Sequence, residues 1–217
     1  MKENCLLFFL RRPQLGQVKT RLAKDVGDEL ALGLYQAMVL DMLEVLDGLG
    51  VDVALWVSPG HEVGQLADWL GGHRLYLPQP EGDLGARLHA AFAWAFAQGY
   101  GKVAALGSDL PQVSPDIVRQ MFSSLDERQA VLGPSLDGGY WGIGFKAENY
   151  RPAVFAQMPW SRPELFAATV KTLQDLDVGL LPSLNDLDTL ADLKNLAKNC
   201  GPGLARRTLA LIRQSLP

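Results

Sequence analysis

Hydrophobic residues along the chain alternate between two kinds of segment. A continuously apolar run at 5–10 and mostly apolar runs at 51–57 and 102–106 predict buried strands, since the strands of a parallel sheet are covered on both faces. Over 28–49, apolar residues recur every three or four positions, which is the spacing of an amphipathic helix. The alanine-rich segment 84–98, which ends before Gly99, predicts another helix. This alternation predicts an α/β protein with a mostly parallel, doubly wound sheet.

The rest of the chain continues the pattern. We predict further strands at 74–77, 130–132 and 140–145, and helices at 62–70, 163–176, 190–198 and 204–216. Ser114 followed by Pro115 predicts another helix start, because serine caps a helix and proline fits its first turn. No repeat, low-complexity tract or linker interrupts these elements, so we predict a single domain over 1–217.

Composition excludes several classes of protein. With 217 residues, 48% of them hydrophobic, the chain can bury a core. A net charge of −4, with acidic and basic residues mixed, argues against a nucleic-acid partner. The apolar run at 5–10 is too short for a signal peptide, and no run approaches the ~20 residues of a membrane span. Two distant cysteines form no disulfide framework, so we expect a cytoplasmic protein.

The loop after the first predicted strand is a candidate phosphate-binding segment. In doubly wound sheets, ligands bind beyond the carboxyl ends of the strands. Residues 11–22 include Arg12, Gly16, Lys19 and Arg21. Lysine and arginine neutralise phosphate oxygens, and glycine lets a ligand approach the backbone closely. The segment lacks the spacing of a Walker A loop, and a solvated basic loop is the alternative interpretation.

Acidic residues stand in two later segments, one after a predicted strand and one before a predicted helix. Asp109 lies at the end of an apolar strand, where a carboxylate is costly unless a cation compensates it. Asp186 and Asp188 alternate just ahead of a predicted helix. Because Mg²⁺ is usually held by one or two carboxylates together with phosphate oxygens, these acids are candidate ligands of Mg²⁺ or Mn²⁺. A turn residue at 109 and a helix cap at 188 or 189 are the structural alternatives.

The segment 133–141 combines a glycine-rich turn with aromatic residues. Asp137, Gly138 and Gly139 would form an ordinary turn with no function. The aromatic pair beyond them, Tyr140 and Trp141, gives a second interpretation. The exposed backbone of the two glycines would let a sugar or an acceptor lie against the amides.

Six segments together resemble one protein family. They are Lys-Thr-Arg-Leu at 19–22, Gln-Pro-Glu-Gly-Asp-Leu-Gly-Ala-Arg-Leu at 79–88, Gly-Ser-Asp-Leu-Pro at 107–111, Gly-Pro-Ser-Leu-Asp-Gly-Gly-Tyr at 133–140, Trp-Ser at 160–161 and Asp-Leu-Asp-Thr-Leu-Ala-Asp-Leu at 186–193. In this order they resemble the bacterial DUF2064 family over nearly the whole chain. The resemblance implies a single-domain GT-A fold, a Rossmann-like three-layer sandwich, and a nucleotide-diphospho-sugar transferase (glycosyltransferase). It also implies similarity to nucleotidylyltransferases of the same fold, such as the molybdenum-cofactor and phospholactate guanylyltransferases.

The resemblance also implies roles for individual positions. Asp109 matches the metal-binding acid of GT-A enzymes, and Asp188 matches a late Asn or Asp that makes the second metal contact. Lys19 and Arg21 lie where the relatives bind phosphates. The chain departs from the pattern at 107–111, which contains one acid instead of an Asp-x-Asp pair.

Positions for the two substrates complete these expectations. Gly85 and Arg87 fall in the segment that contacts the base or its phosphates in relatives. The residues expected around the acceptor are Gly138, Gly139, Tyr140 and Trp160. The residues expected to take part in catalysis are Lys19, Asp109 and Asp137.

These expectations lead to three functions. The first is a metal-dependent glycosyltransferase that uses a nucleotide-sugar and a small-molecule acceptor. The alternative is a nucleotidylyltransferase that releases pyrophosphate from an NTP; in both, a metal and cations stabilise the departing phosphates. A non-catalytic nucleotide-binding module is disfavoured by the acids at 109 and 188. The arginines of the last helix predict either packing on the body of the protein or a homodimer contact.

Overall fold

The computed structural model describes residues 2–215, which form strands and helices in alternation. The strands are β1 (Lys2–Arg11), β2 (Asp52–Ser58), β3 (Leu75–Pro78), β4 (Tyr100–Gly107), β5 (Ala130–Pro134), β6 (Tyr140–Lys146) and β7 (Val178–Leu180). The α-helices are α1 (Thr20–Val26), α2 (Asp28–Asp47), α3 (Ala67–Leu70), α4 (Leu84–Ala97), α5 (Pro115–Glu127), α6 (Leu165–Thr172), α7 (Leu190–Asn199) and α8 (Arg206–Ser215). Short 3₁₀ helices lie at Gly60–Leu66, Ala147–Asn149 and Pro152–Phe155.

The strands form one sheet with the order β3-β2-β1-β4-β6-β5-β7. Strand β6 is antiparallel to both of its neighbours, and the other pairings are parallel. The expected mostly parallel sheet is therefore confirmed. The chain moves outward from β1 to β2 and β3, then returns to the other side of β1 with β4. This reversal opens a crevice beyond the carboxyl ends of β1 and β4, the usual ligand position in such sheets.

Side chains of β1 alternate between the two faces of the sheet. Leu6 and Phe8 are buried against α2 and α5, whereas Cys5 and Leu7 are buried against α4. Helices α1, α7 and α8 add a further apolar cluster on the outer side of α2. The three-layer α/β architecture is confirmed. None of the helices in the described part of the chain is long and apolar enough to cross a bilayer.

Some elements differ from the sequence prediction. The loop predicted at 11–22 contains the start of a helix, α1, and strand β7 was not predicted. The helix predicted at 62–70 is a 3₁₀ helix followed by one turn of α-helix. The predicted cap is confirmed, since the Ser114 side chain accepts a hydrogen bond of 3.2 Å from the amide of Ile117. Leu216, the predicted end of the last helix, lies outside the described residues.

The C-terminal helix packs on the body of the protein through a buried carboxylate. Asp41 of α2 is 5% exposed. Its Oδ1 accepts a hydrogen bond of 3.0 Å from the amide of Arg207, and its Oδ2 accepts bonds of 2.9 and 2.8 Å from the amide and hydroxyl of Thr208. A side chain of α2 therefore caps the N-terminus of α8, the position where a negative charge is favourable.

Replacing Asp41 by alanine is expected to lower the free energy of unfolding by about 2–4 kcal/mol, because a helix cap and a buried hydrogen-bond acceptor are lost together. Chemical denaturation monitored by circular dichroism measures this change. Glu44→Ala is the matched control on the same helix: Glu44 pairs with Arg206 and Arg207 at the surface, and its loss should change stability far less. Equal losses in the two variants would contradict the capping role of Asp41.

Candidate active site

A buried lysine lies between two carboxylates at the carboxyl ends of β1 and β4. Lys19 Nζ is 2.8 Å from Asp109 Oδ1 and 2.9 Å from Asp188 Oδ1. The Lys19 side chain is 3% exposed, whereas those of Asp109 and Asp188 are 40% and 42% exposed. Burial favours a lower pKa for Lys19, but the two carboxylates outweigh it and raise the pKa, so the ammonium is charged at neutral pH. The three predicted residues converge.

Local structure explains how three distant segments meet. Lys19 immediately precedes α1 in a left-handed backbone conformation, with φ of 49°. Asp109 follows β4, and its carbonyl accepts a hydrogen bond of 3.0 Å from the amide of Leu187. Thr189 is the cap of α7, the structural alternative considered for this segment. The Asp188 carboxylate is therefore free of the capping role and faces Lys19.

These residues line a cavity of about 470 Å³. Its cationic lining residues are Arg11, Lys19, Arg21 and Arg87. Its acidic lining residues are Asp109 and Asp188, and Arg21 Nη1 lies 3.8 Å from Asp188 Oδ2. Two carboxylates and four cations around one polar cavity suit a phosphate ligand with its metal.

A second cavity of about 180 Å³ adjoins the first. The two share Phe9, Leu84, Gly107 and Asp109. The second cavity also includes Tyr140 and Asp186, and none of its lining residues is a lysine or an arginine. Burial, followed by the charge of Asp109, raises the pKa of Asp186 to about 7. The small cavity is therefore more apolar than its neighbour and lacks cations of its own.

Several lining residues were not predicted. Tyr35 of α2 is buried; its hydroxyl accepts a hydrogen bond of 2.7 Å from the amide of Arg11 and donates one of 2.9 Å to the Arg11 carbonyl. The same hydroxyl is 3.3 Å from Ser108 Oγ, so Tyr35 connects the ends of β1 and β4. Burial raises its pKa, so the hydroxyl stays protonated. A tyrosine among the apolar residues of a buried helix face was the available signal, since a buried hydroxyl needs partners.

Two residues of the predicted phosphate loop lie outside the cavity lining. Arg12 is paired with Glu62, with Nη1 3.0 Å from Oε1. Gly16 has a φ of 70°, which explains its glycine by backbone conformation. Arg12 and Gly16 thus lie away from the cavity, whereas Arg11, Lys19 and Arg21 of the same loop line it.

Two of the predicted glycines are required for packing. A Cβ on Gly85 would lie 2.2 Å from the carbonyl oxygen of Phe155 and 3.0 Å from the ring of Trp160. A Cβ on Gly138, which has a φ of 88°, would lie 2.2 Å from the carbonyl oxygen of Pro163. The structure therefore places Gly85 against the 155–160 segment and away from the lining of both cavities.

The predicted acceptor segment lies at the rim of the small cavity. Asp137 is exposed, and its Oδ1 accepts a hydrogen bond of 2.9 Å from the amide of Gly139. Tyr140 lines the cavity and packs edge-on against Trp160, with ring centroids 6.4 Å apart. The Tyr140 hydroxyl and the Trp160 indole nitrogen are buried and have no hydrogen-bond partner among the described residues. Of this segment, Tyr140 is the residue positioned to touch a ligand.

The carboxylates fit a divalent ion that arrives with phosphates. Within residues 2–215, no group of three or more His, Cys, Asp or Glu side chains is arranged to hold a metal on its own. Asp109 and Asp188 nevertheless offer hard oxygen donors on either side of the Lys19 ammonium, and both carboxylates are partly exposed to the cavity. That donor set suits Mg²⁺ or Mn²⁺, which typically retain several ligands from water and substrate phosphates.

Comparison with known proteins identifies the family of the chain. Residues 41–162 match the family model described as "Uncharacterized protein conserved in bacteria (DUF2064)". The chain belongs to the DUF2064 family. A proposed nucleotide-diphospho-sugar transferase from Desulfovibrio desulfuricans G20 superposes with a TM-score of 0.94 and 36% identity, over 99% of this chain and 95% of that one.

Two further relatives are more distant. A 3-phospho-D-glycerate guanylyltransferase of Phenylobacterium zucineum (strain HLK1) is 32% identical over 130 residues, which are 56% of this DUF2064 chain and 57% of that protein. The match thus spans little more than half of that curated relative. A manganese complex of a Mycobacterium tuberculosis H37Rv protein has a TM-score of 0.55 and 15% identity, over 90% of this chain and 98% of that one, and so shares the fold. The expected class, a transferase that uses an activated nucleotide, is the class of the Desulfovibrio and Phenylobacterium relatives.

Proposed function

We propose that this DUF2064 protein is a metal-dependent glycosyltransferase that takes its sugar from a nucleotide-diphospho-sugar. The supporting observation is the pair of adjoining cavities that meet at Asp109. One is polar and bordered by four cations, and the other is small, largely apolar and without cations. A nucleoside diphosphate fits the first, and an uncharged sugar fits the second.

The larger cavity binds the nucleoside diphosphate. Lys19 and Arg21 lie beside the carboxylates of Asp109 and Asp188, where they neutralise the diphosphate. When bound, Mg²⁺ or Mn²⁺ held by Asp109 and Asp188 would offset the negative charge that develops on the departing diphosphate. The buried ammonium of Lys19 contributes to the same stabilisation without having to shed water.

The smaller cavity holds the sugar beside the metal-binding acid. Phe9 and Leu84 border both cavities, so they separate the diphosphate from the sugar ring without adding charge. Asp186 provides a hydrogen-bonding group for sugar hydroxyls, and Tyr140 lines the same cavity. A phosphorylated group in this position would meet carboxylates and no cation, which is unfavourable.

The acceptor enters at the rim formed by residues 137–140. Gly138 and Gly139 form the turn at this rim, next to Tyr140, which packs edge-on against Trp160. The reaction forms a bond from an acceptor hydroxyl to the anomeric carbon, breaks the bond to the diphosphate, and releases one proton. Asp137, an exposed carboxylate on this rim, is our candidate to accept that proton.

Nucleotidyl transfer is the second candidate function. The Phenylobacterium guanylyltransferase favours it, and four cations around one cavity also suit the triphosphate of an NTP. In this reaction an acceptor phosphate attacks the α-phosphate and pyrophosphate leaves. The acceptor would then need a cationic position of its own, which the lining of the smaller cavity does not provide.

Product analysis separates the two reactions. The protein is incubated with Mn²⁺ or Mg²⁺ and either a panel of NDP-sugars or a panel of NTPs with 3-phospho-D-glycerate. We expect ³¹P NMR to show release of nucleoside diphosphate from an NDP-sugar. The release should be slow when the sugar is transferred to water and faster when a sugar acceptor is present. Release of pyrophosphate from an NTP, with NDP-sugars left intact, would establish the second candidate instead.

A further inference from the structure

The pairing of β1 with β4 ends just before the residues of the candidate active site. The last pair of this ladder is Phe9 with Gly107. Beyond it, β1 continues to Arg11, while Ser108 leads out of β4 into Asp109. The larger cavity lies between these two ends and is lined by residues of both. The main-chain ladder therefore does not set the separation of the two strand ends at the position of the metal-binding acid.

The hydroxyl of Tyr35 joins the two ends instead. It accepts a hydrogen bond of 2.7 Å from the amide of Arg11 and donates one of 2.9 Å to the carbonyl of the same residue. Its oxygen also lies 3.3 Å from Ser108 Oγ. Because the tyrosine proton goes to the Arg11 carbonyl, the serine hydroxyl is the donor in this third bond. The Tyr35 hydroxyl is thus fully used by the protein, so it acts on a ligand only through its neighbours.

The ring of Tyr35 is held firmly enough for this role. The residue is 3% exposed and belongs to α2, a helix of 20 residues. It shares one buried apolar cluster with Val18 and Leu110. These two residues are the chain neighbours of Lys19 and Asp109, respectively. A close-packed ring has little freedom to move, so the position of its hydroxyl is fixed relative to both sides of the site.

We propose that Tyr35 is a positioning residue whose hydroxyl holds Asp109 where a divalent ion and a diphosphate at Lys19 share one site. Without the hydroxyl, Ser108 and the backbone of Arg11 lose a buried partner, and the carboxylate that directly follows Ser108 is free to shift. A displacement of about 1 Å in such a site costs up to about 100-fold in function. The proposal rests on the proposed function, because it assumes that a metal and a diphosphate meet at these residues.

Calorimetric titration of pyrophosphate into the intact chain, with and without Mn²⁺, tests this role. Mn²⁺ should tighten pyrophosphate binding by about tenfold or more in the wild-type protein. In Tyr35→Phe, which removes the hydroxyl and keeps the ring, we expect this enhancement to fall to about twofold or less. Binding of pyrophosphate without metal depends on the cations of Lys19 and Arg21 and should stay within about threefold of wild type.

Tyr100→Phe is the matched control. Tyr100 is 5% exposed at the start of β4, the opposite end of the sheet, and its hydroxyl donates a hydrogen bond of 2.7 Å to Asp52 Oδ2. Both variants lose a buried hydrogen bond and should melt at a lower temperature, but only Tyr35→Phe should lose the Mn²⁺ enhancement. Ser108→Ala breaks the link to β4 and leaves the Arg11 bonds in place. It should reduce the enhancement as well, and it keeps the test open if Tyr35→Phe does not fold.

The outcomes separate this proposal from the proposed function. Full Mn²⁺ enhancement in Tyr35→Phe and Ser108→Ala would show that the hydroxyl only stabilises the fold, and it would overturn the positioning role while the proposed function stands. Loss of the enhancement in Tyr100→Phe as well would overturn the role too, since lower stability alone would then explain the effect. If pyrophosphate does not bind the wild-type protein, or binds without any effect of Mn²⁺, the proposed function itself fails.

Discussion

Replacing Asp109 by asparagine is expected to lower the rate of nucleoside diphosphate release from the sugar donor by about 100- to 1000-fold. Asparagine keeps the shape of the side chain but removes the negative charge that a divalent ion requires. Asp109 is 40% exposed and Lys19 keeps its contact with Asp188, so the variant should still fold. The measurement is kcat at saturating donor and Mn²⁺.

Asp116→Asn is the matched control for this variant. Its side chain is 90% exposed on α5 and pairs with Arg119, away from both cavities. We expect its turnover to equal that of the wild-type protein. An Asp109→Asn protein that retains turnover within about threefold of wild type would remove Asp109 from the active site, since a single metal ligand is worth far more.

Replacing Lys19 by methionine is expected to lower the same rate by about 100- to 1000-fold, the range seen when one group that stabilises developing negative charge is removed. Methionine fills the 3% exposed position of the lysine stem without its charge. Asp109 and Asp188 are each about 40% exposed and remain hydrated, so thermal unfolding should show a folded protein.

Metal binding separates the role of Lys19 from that of Asp109. Without the ammonium, the two carboxylates are no longer neutralised, so Mn²⁺ should bind the nucleotide-free Lys19→Met protein more tightly than wild type. Mn²⁺ should bind the Asp109→Asn protein more weakly than the wild-type protein. Titration of free Mn²⁺ by electron paramagnetic resonance measures both. Parallel changes in the two variants would contradict the assigned roles.

The pattern of apolar residues predicted the sheet well because long buried elements have a clear period. Strands β1 and β4 and helix α2 fell close to their predicted bounds. Helix α1 was missed because it has seven residues, of which only Leu22 is buried. Strand β7 has three residues at the edge of the sheet, too few to show a period. The direction of β6 also has no signature in its own residues, since it is set by the sheet around it.

The site residues could be predicted from the sequence where charged side chains stand next to a predicted strand or helix. Lys19 and Asp109 were identified because they follow apolar strands, and Asp188 because two acids alternate ahead of a predicted helix. Lys19 lies within 3 Å of both acids. Tyr35 and Gln79 were not assigned roles in the site, because the spacing of residues does not show which partners a buried polar side chain finds. The role of the glycines could not be predicted for a different reason. Gly85 lacks a side chain because Phe155 lies against it, and the sequence alone does not distinguish close packing from contact with a ligand.

Calorimetric titration of nucleoside diphosphate, with and without Mn²⁺, tests most directly whether two acids and a lysine from separate loops form one metal–diphosphate site. Mn²⁺ should tighten diphosphate binding by about tenfold or more in the wild-type protein, and this enhancement should vanish in Asp109→Asn. The same enhancement in both proteins would place the metal elsewhere and contradict the account.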